Sequence, residues 1–175
     1  MHGKPGTPCF CPACGNKTLY AEEGKKFECT DCRFIFFKNV ASAVGVILEH
    51  QKRILLITRA RDPGKGLYDV PGGFCDEWET PEETAGREIK EELNLNVSNF
   101  QYLASFPNRY LYKNILYHTM DMIYLCRLGS AEGLKPEEEE VHHFEWFSKE
   151  EIPLEKIAFP SIRKALSLYI DGSSF

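Results

Sequence analysis

The stretch Gly73–Leu95, GFCDEWETPEETAGREIKEELNL, constrains this chain more than any other. Its spacing predicts a helix from about Pro81. Thr80 offers an N-cap hydroxyl, Pro81 suits the first helical position, and Glu82 and Glu83 favour the positive helix end. Thr80 and Glu83 have capping-box spacing. Asn94 follows the last turn, where a left-handed residue is wanted and Asn is second choice to Gly. On such a helix Glu88, Glu91 and Glu92 stand at i, i+3 and i+4 and are expected to face one point. Three like charges there have two readings: a solvated acidic face, or a site for a hard divalent cation that neutralises them. Pro71-Gly72-Gly73 supplies the tight loop needed for close backbone approach to a ligand. Arg87 is placed to pair with Glu79 across the loop.

As a pattern, Gly73, five residues, Glu79, seven residues, Arg87-Glu88, apolar Ile89, one residue, Glu91-Glu92, one residue, Asn94 and Leu95 resembles the signature of the Nudix hydrolases. The closing Gly of that signature is Asn94 here. The likeness extends, more loosely, from about Val40 to Leu168. It implies an α+β fold, a mixed β-sheet sandwiched between the signature helix and a C-terminal helix. It also implies attack of water on the pyrophosphate of a nucleoside diphosphate linked to another group. By resemblance Glu88, Glu91 and Glu92 are ligands of catalytic Mg²⁺ or Mn²⁺, with the Gly73 carbonyl joining them. Arg87 and Glu79 orient the carboxylates, and Glu91 is one candidate base. Many members place a further carboxylate before a late strand. In Lys135-Pro-Glu-Glu-Glu-Glu140, Glu140 fits that position best and Glu139 next, against the plain reading of a solvated charge run.

Cys11-Pro-Ala-Cys14 and Cys29-Thr-Asp-Cys32 are two C-x-x-C pairs separated by fourteen residues. Each pair presents two thiolates, and four complete a tetrahedral zinc site without an open position for water. A redox pair or a disulfide framework is the alternative, but the segment is too short for its own core. It resembles a zinc ribbon, with short strands at Leu19-Tyr20 and Lys26–Glu28 and with Cys9 left unliganded. The expected domains are a ribbon over 1–38 and a hydrolase domain over 39–175. Phe27, Arg33, Phe34, Phe36, Phe37 and Lys38 suit either base stacking or packing of the ribbon. Family members with this layout include dimers, so a homodimer is among the implied assemblies.

Residues 1–38 hold six basic side chains against four acidic, so the net charge of −5 arises in the rest. That balance does not favour broad nucleic-acid binding. No apolar run approaches a membrane helix, and MHGKPGTP has no signal region, so the chain reads as cytoplasmic.

Ala41–Leu48 and Arg53–Thr58 read as a hairpin. Arg59–Gly66 follows as a loop whose cations, Arg59, Arg61 and Lys65, suit either a diphosphate or solvent. Leu67–Val70 is a short strand. Cys75 and Cys126 lack a catalytic partner and read as ordinary small residues. Val97–Ser105 and Ile115–Leu128 read as strands around a polar connector, Pro107–Asn114. Phe106 and Tyr112 are candidates to stack on a base and Arg109 to meet a phosphate, with core packing the alternative. His142–Phe147 reads as a strand, with His142 and His143 as surface residues, and Pro160–Ile170 as the last helix. The Ser-Gln-Pro-Trp-Pro motif of NADH pyrophosphatases is absent. The substrate order this supports is ADP-ribose or another nucleotide sugar, then NADH or a diadenosine polyphosphate, then a nucleoside triphosphate. A nucleotide-sensing or nucleic-acid-binding regulator and an RNA-decapping hydrolase are the alternatives.

Overall fold

The structure is a computed structural model that describes residues 8–21 and 25–172; Lys4, Glu22 and Glu23, counted in the charge above, lie outside them. The chain divides into two compact units, residues 1–40 with 114–116, and residues 41–113 with 117–175.

In the first unit β1 (Leu19–Ala21), β2 (Lys26–Cys29) and β3 (Ile35–Phe37) form a three-stranded antiparallel sheet. The third strand goes beyond the two expected. Its buried cluster is Leu19 and Phe27 with Cys11 and Cys29. Among the described residues these four side chains bury little apolar surface to offset the entropy of ordering the segment, so the cysteines must do more than pack.

The second unit runs β4 (Ala41–His50), β5 (Arg53–Arg59), β6 (Tyr68–Asp69), α1 (Pro81–Leu93), β7 (Gln101–Tyr112), β8 (Ile115–Arg127, of which the first two residues fall in the first unit), β9 (Val141–Phe147) and α2 (Pro160–Asp171). The strands form one mixed sheet in the order β6-β5-β4-β8-β7, with β9 also on β5. β4 and β8 are parallel, while β5 is antiparallel to β4, β6 and β9. The β4–β5 turn places Gln51 and Lys52 at φ 50° and 63°, the two left-handed positions of a tight hairpin.

Strand alternation sorts the core into two layers. Val44, Val46 and Leu48 face α1 with its Ala85, Ile89 and Leu93. Ile47, Ile54, Leu56 and Ile123 face α2 with its Ile162, Ala165 and Leu166. Burying one such side chain contributes about 2 kcal/mol. The sheet therefore lies between the two helices, as the resemblance implies. No helix among the described residues is long and apolar enough to cross a membrane.

One expectation fails. The segment Pro107–Asn114 is not a connector: β7 starts at Gln101 and continues through it to Tyr112. Lys113 and Asn114, at φ 45° and 64°, make the tight turn that sends the chain back into β8. The tyrosines favour extended backbone, and Pro107, Arg109 and Leu111 occupy the exposed face of the strand.

A second irregularity creates the site. β4 and β5 pair over only three positions, from Leu48↔Leu55 to His50↔Arg53. Beyond them the Pro71–Cys75 loop runs along β4 instead, with Val46 N–H donating to the Pro71 carbonyl and Val44 N–H to the Gly73 carbonyl, each at 2.8 Å. The sheet is opened there, and carboxylates of α1 reach its other face.

Candidate active site

α1 is held as its sequence suggests. Thr80 Oγ1 accepts from Glu83 N–H at 3.2 Å, and Glu83 Oε2 accepts from Thr80 N–H at 2.8 Å. Asn94 ends the helix at φ 56°, ψ 24°. The loop after Leu128 then docks on that end, Lys135 N–H donating to the Leu93 carbonyl and Glu137 N–H to the Glu92 carbonyl. These bonds satisfy carbonyls the helix cannot satisfy itself. They also fix Glu140 beside the helix carboxylates.

The result is a cleft of about 450 Å³. Glu88, Glu92 and Glu140 line one part of it, under Gly72 and Gly73. Glu92 is buried and accepts from Gly72 N–H at 3.0 Å. Burial pushes its carboxyl well above the usual range, and the nearby charges of Glu88, Asp69 and Glu140 add to this. Burial also raises Glu88, partly offset by Arg87. A β-carbon on Gly73 would lie 2.3 Å from Glu88 Oε1, so the loop leaves room for that carboxylate alone.

Arg87 ties the parts together. Its Nη1 donates to Glu88 at 2.8 Å and to Glu91 at 3.0 Å, and its Nη2 donates to the Phe74 carbonyl at 3.2 Å. Glu79 takes the remaining donors. These bonds raise the guanidinium's affinity for its proton and hold Glu79 down at about 2.

Several expected site residues lie elsewhere. Glu91 is exposed and does not line the cleft. Successive residues on a helix stand about 100° apart, so Glu91 and Glu92 cannot share a direction. Glu88 and Glu92, one turn apart, do. The Gly73 carbonyl accepts from Val44, which leaves one of its two lone pairs for a ligand. Arg59 lines the cleft, but its donors go to Asp69 at 2.8 Å and the Pro63 carbonyl at 2.7 Å, and its guanidinium lies over Phe159. Its charge is thus paired with the buried Asp69. Arg61 lines the cleft and pairs with Glu140 at 3.1 Å and with the exposed Glu139 at 2.7 Å. Arg109 is exposed on the other face of β7, because alternation turns Asn108, Tyr110 and Tyr112 toward the cleft. Phe106 packs on the α2 core beneath Lys164 and is not part of the cleft wall. Tyr112 does line it. Cys75 and Cys126 pack in the α1 layer.

Sequence reading missed Asp69, Asp121, Asn108, Phe74 and Phe159, all of which line the cleft beside the aromatic Tyr110. Asp69 is buried, which raises its carboxyl to about 6 against the opposing pull of Arg59. Only an aspartate inside an otherwise apolar strand run, as in Met120-Asp121-Met122-Ile123, could have flagged one of them.

In the first unit the Sγ atoms of Cys11, Cys14, Cys29 and Cys32 lie within 4.8 Å of one another, and Cys9 is outside the group. None of the cysteines is disulfide-bonded. The closest pairs are Cys11–Cys32 at 3.7 Å and Cys14–Cys29 at 3.8 Å. Zinc–sulfur bonds of about 2.3 Å in a tetrahedron require sulfurs about 3.8 Å apart. The four thiols thus have the shape of a zinc site. The Cys32 N–H and the Thr18 hydroxyl, both on Cys29 Sγ, hold that thiol down at about 6.

The family model described as NUDIX domain matches residues 38–169. The chain is 31% identical over 144 residues to the NAD-capped RNA hydrolase NudC of Vibrio cholerae, covering 82% of this chain and 51% of that protein. It is 39% identical over 103 residues to the mitochondrial NAD(P)H pyrophosphatase NUDT13 of Mus musculus, covering 57% of this chain and 29% of that protein. The chain spans about half the length of the NudC proteins it matches. A NUDIX hydrolase from Nitrosomonas europaea has the same fold, with TM-score 0.74 and 29% identity over 93% of this chain and 90% of its own.

Proposed function

This chain belongs to the NUDIX family, and from that premise we propose that it hydrolyses the pyrophosphate bond of a dinucleotide of the NAD(H) type, releasing two mononucleotides. The observation that carries the reaction class is the pairing of Glu88 and Glu92 in one cleft beneath the Gly72–Gly73 loop. Two carboxylates kept partly out of water, with a third at Glu140, suit a hard divalent cation. Glu88, Glu92 and Glu140 would hold Mg²⁺ or Mn²⁺, with the second lone pair of the Gly73 carbonyl in reach of the same place. The cation supplies charge neutralisation on phosphoryl oxygens and a more acidic bound water.

The chain's own residues do the positioning. Arg87 clamps Glu79, Glu88 and Glu91 into one array, which ties the loop to α1. Gly72 N–H orients Glu92. Arg61, paired with Glu140, is exposed at the cleft and is suited to meet a phosphate. Glu91 reaches solvent and remains a candidate to take a proton from the attacking water.

The names of the relatives reorder the substrate classes. NAD(H)-type dinucleotides come first, with ADP-ribose, diadenosine polyphosphates and nucleoside triphosphates after them. An NAD cap on RNA presents the same bond, so capped RNA is a second substrate reading. We assign zinc to the four-cysteine site in a structural role, with the ribbon over 1–38 and the hydrolase domain over 39–175.

The test is a hydrolysis panel with Mg²⁺ or Mn²⁺, comparing NADH, NAD⁺, ADP-ribose, a diadenosine polyphosphate, a nucleoside triphosphate and NAD-capped RNA. Mononucleotide products from NADH or NAD⁺ at the highest kcat/KM are expected. Tight binding without turnover on every member would favour a nucleotide sensor instead.

A further inference from the structure

The cleft has a second polar feature that the hydrolysis does not use. Asp121, on β8 and opposite Ala43 of β4, lines the cleft and is 6% exposed. Thr119 Oγ1 donates to its Oδ1 at 2.6 Å, and Asn108 Nδ2 and Ser161 Oγ donate to its Oδ2 at 2.9 Å and 2.6 Å. All three donors are neutral, and no salt bridge to Asp121 occurs among the described residues. A buried carboxylate needs its acceptor positions filled or its charge matched. An ionised carboxylate offers about four positions, so one on Oδ1 is left.

The walls around it are aromatic. Tyr110 packs edge-on against Phe74 at 5.4 Å and at a shallow tilt to Phe159 at 5.7 Å, and Tyr112 follows on the same strand face. All four rings line the cleft. Asp121 is two strand positions from the Gly73 loop, through β4, or about 10 Å across the sheet. That spacing separates a ring from the pyrophosphate it is attached to through a ribose.

We propose that Asp121 is a specificity-determining residue that accepts a hydrogen bond from the NH₂ group of a flat heteroaromatic ring held among Phe74, Tyr110, Tyr112 and Phe159. The inference rests on the reading of the cleft as a dinucleotide site. Two rings of such a substrate carry the required donor: adenine through its exocyclic amine and nicotinamide through its carboxamide. The oxo counterpart of the first and the carboxylate counterpart of the second present an acceptor to Asp121 instead. Hydrogen bonds to charged groups predict discrimination of about tenfold to a hundredfold. A purely structural Asp121 would fasten the first turn of α2 through Ser161 and would discriminate nothing.

The experiment is calorimetric binding to the full zinc-loaded chain, which needs no turnover. AMP is compared with IMP, and nicotinamide mononucleotide with nicotinic acid mononucleotide, each in wild type, Asp121→Asn and Asp121→Ala. We expect one pair to be separated at least tenfold in wild type, which identifies the ring. That ratio should shrink toward one in Asp121→Asn, which keeps the shape, and in Asp121→Ala if it folds. Equal affinities within both pairs in wild type, or a ratio unchanged in Asp121→Asn, overturn the proposal. Failure of the hydrolase reading would look different: no turnover, with the mononucleotides still bound and still discriminated.

Discussion

Arg87 holds both oxygens of Glu79, Nε to Oε1 at 2.8 Å and Nη2 to Oε2 at 3.0 Å, across the seven residues that contain the start of α1. This fork joins the loop to the helix. A lysine cannot reproduce two parallel donors. Arg87→Lys should therefore leave the fold intact and lower kcat on the order of 10²-fold, the effect of a misplaced catalytic array. Steady-state kinetics with circular dichroism checks this; near-normal kcat would remove Arg87 from its positioning role.

The same pair sets an acid dependence. Glu79 lies at about 2 in the folded chain, below the ordinary 4.5, through its hydrogen bonds to Arg87. Between those values the unfolded chain binds more protons than the folded one, so stability falls as pH falls through that window and is whole above it. Thermal melts of wild type and Glu79→Gln should differ most above pH 4.5 and converge toward pH 2. A gap that widens on acidification would contradict the assignment.

Local features were the legible part. Thr80, Pro81, Asn94 and the helix they bound could be read because each signal lies within one turn of the backbone it satisfies. The cysteine pairs were readable for the same reason. The cleft's far wall was not. Asp121 meets Asn108 and Ser161 only because β7, β8 and α2 converge, and strand parity over Asn108–Tyr112 is invisible until those residues are known to be strand. Arg59 looked like a free cation because its partner, Asp69, is ten residues away on another strand. Glu88 and Glu91 share Arg87 Nη1, as i and i+3 spacing implies, but that spacing does not say which of the two reaches the cavity.

Glu92 should couple cation binding to proton release. Burial holds its carboxyl well above the usual range, so a cation arriving there displaces a proton. Calorimetry of Mn²⁺ binding in two buffers of different ionisation enthalpy should report that proton, and affinity should weaken as pH falls. Glu92→Gln should remove the proton signal and abolish turnover while the chain stays folded and zinc-loaded. Full activity in this variant would sink the site assignment.

Zinc should account for the ribbon's order. Among its described residues the first unit buries Leu19, Phe27 and two of the cysteines as its core. Elemental analysis should find one zinc per chain, and Co²⁺ substitution should give the intense thiolate spectrum of a tetrahedral four-sulfur site. Cys29→Ser should lose the metal and the ordered ribbon, seen as loss of its amide protection, with the second unit's protection kept. Cys9→Ser should retain the metal, since Cys9 Sγ is outside the group.

The two loop glycines should separate stability from activity. At Gly72, φ is 146° and a β-carbon would lie 2.2 Å from the Val44 carbonyl oxygen, a backbone atom fixed in β4. Nothing there can yield cheaply, so Gly72→Ala should cost about 1–3 kcal/mol or more and lower the melting temperature. At Gly73 the backbone is not left-handed, and the β-carbon would instead meet the end of the Glu88 side chain at 2.3 Å. That carboxylate can swing away, so Gly73→Ala should fold with a stability change below about 1 kcal/mol. Its displacement should nonetheless reduce kcat on the order of 10²-fold. Melting curves and kinetics on the pair distinguish the two effects; a destabilised but fully active Gly73→Ala would place Glu88 outside the working array.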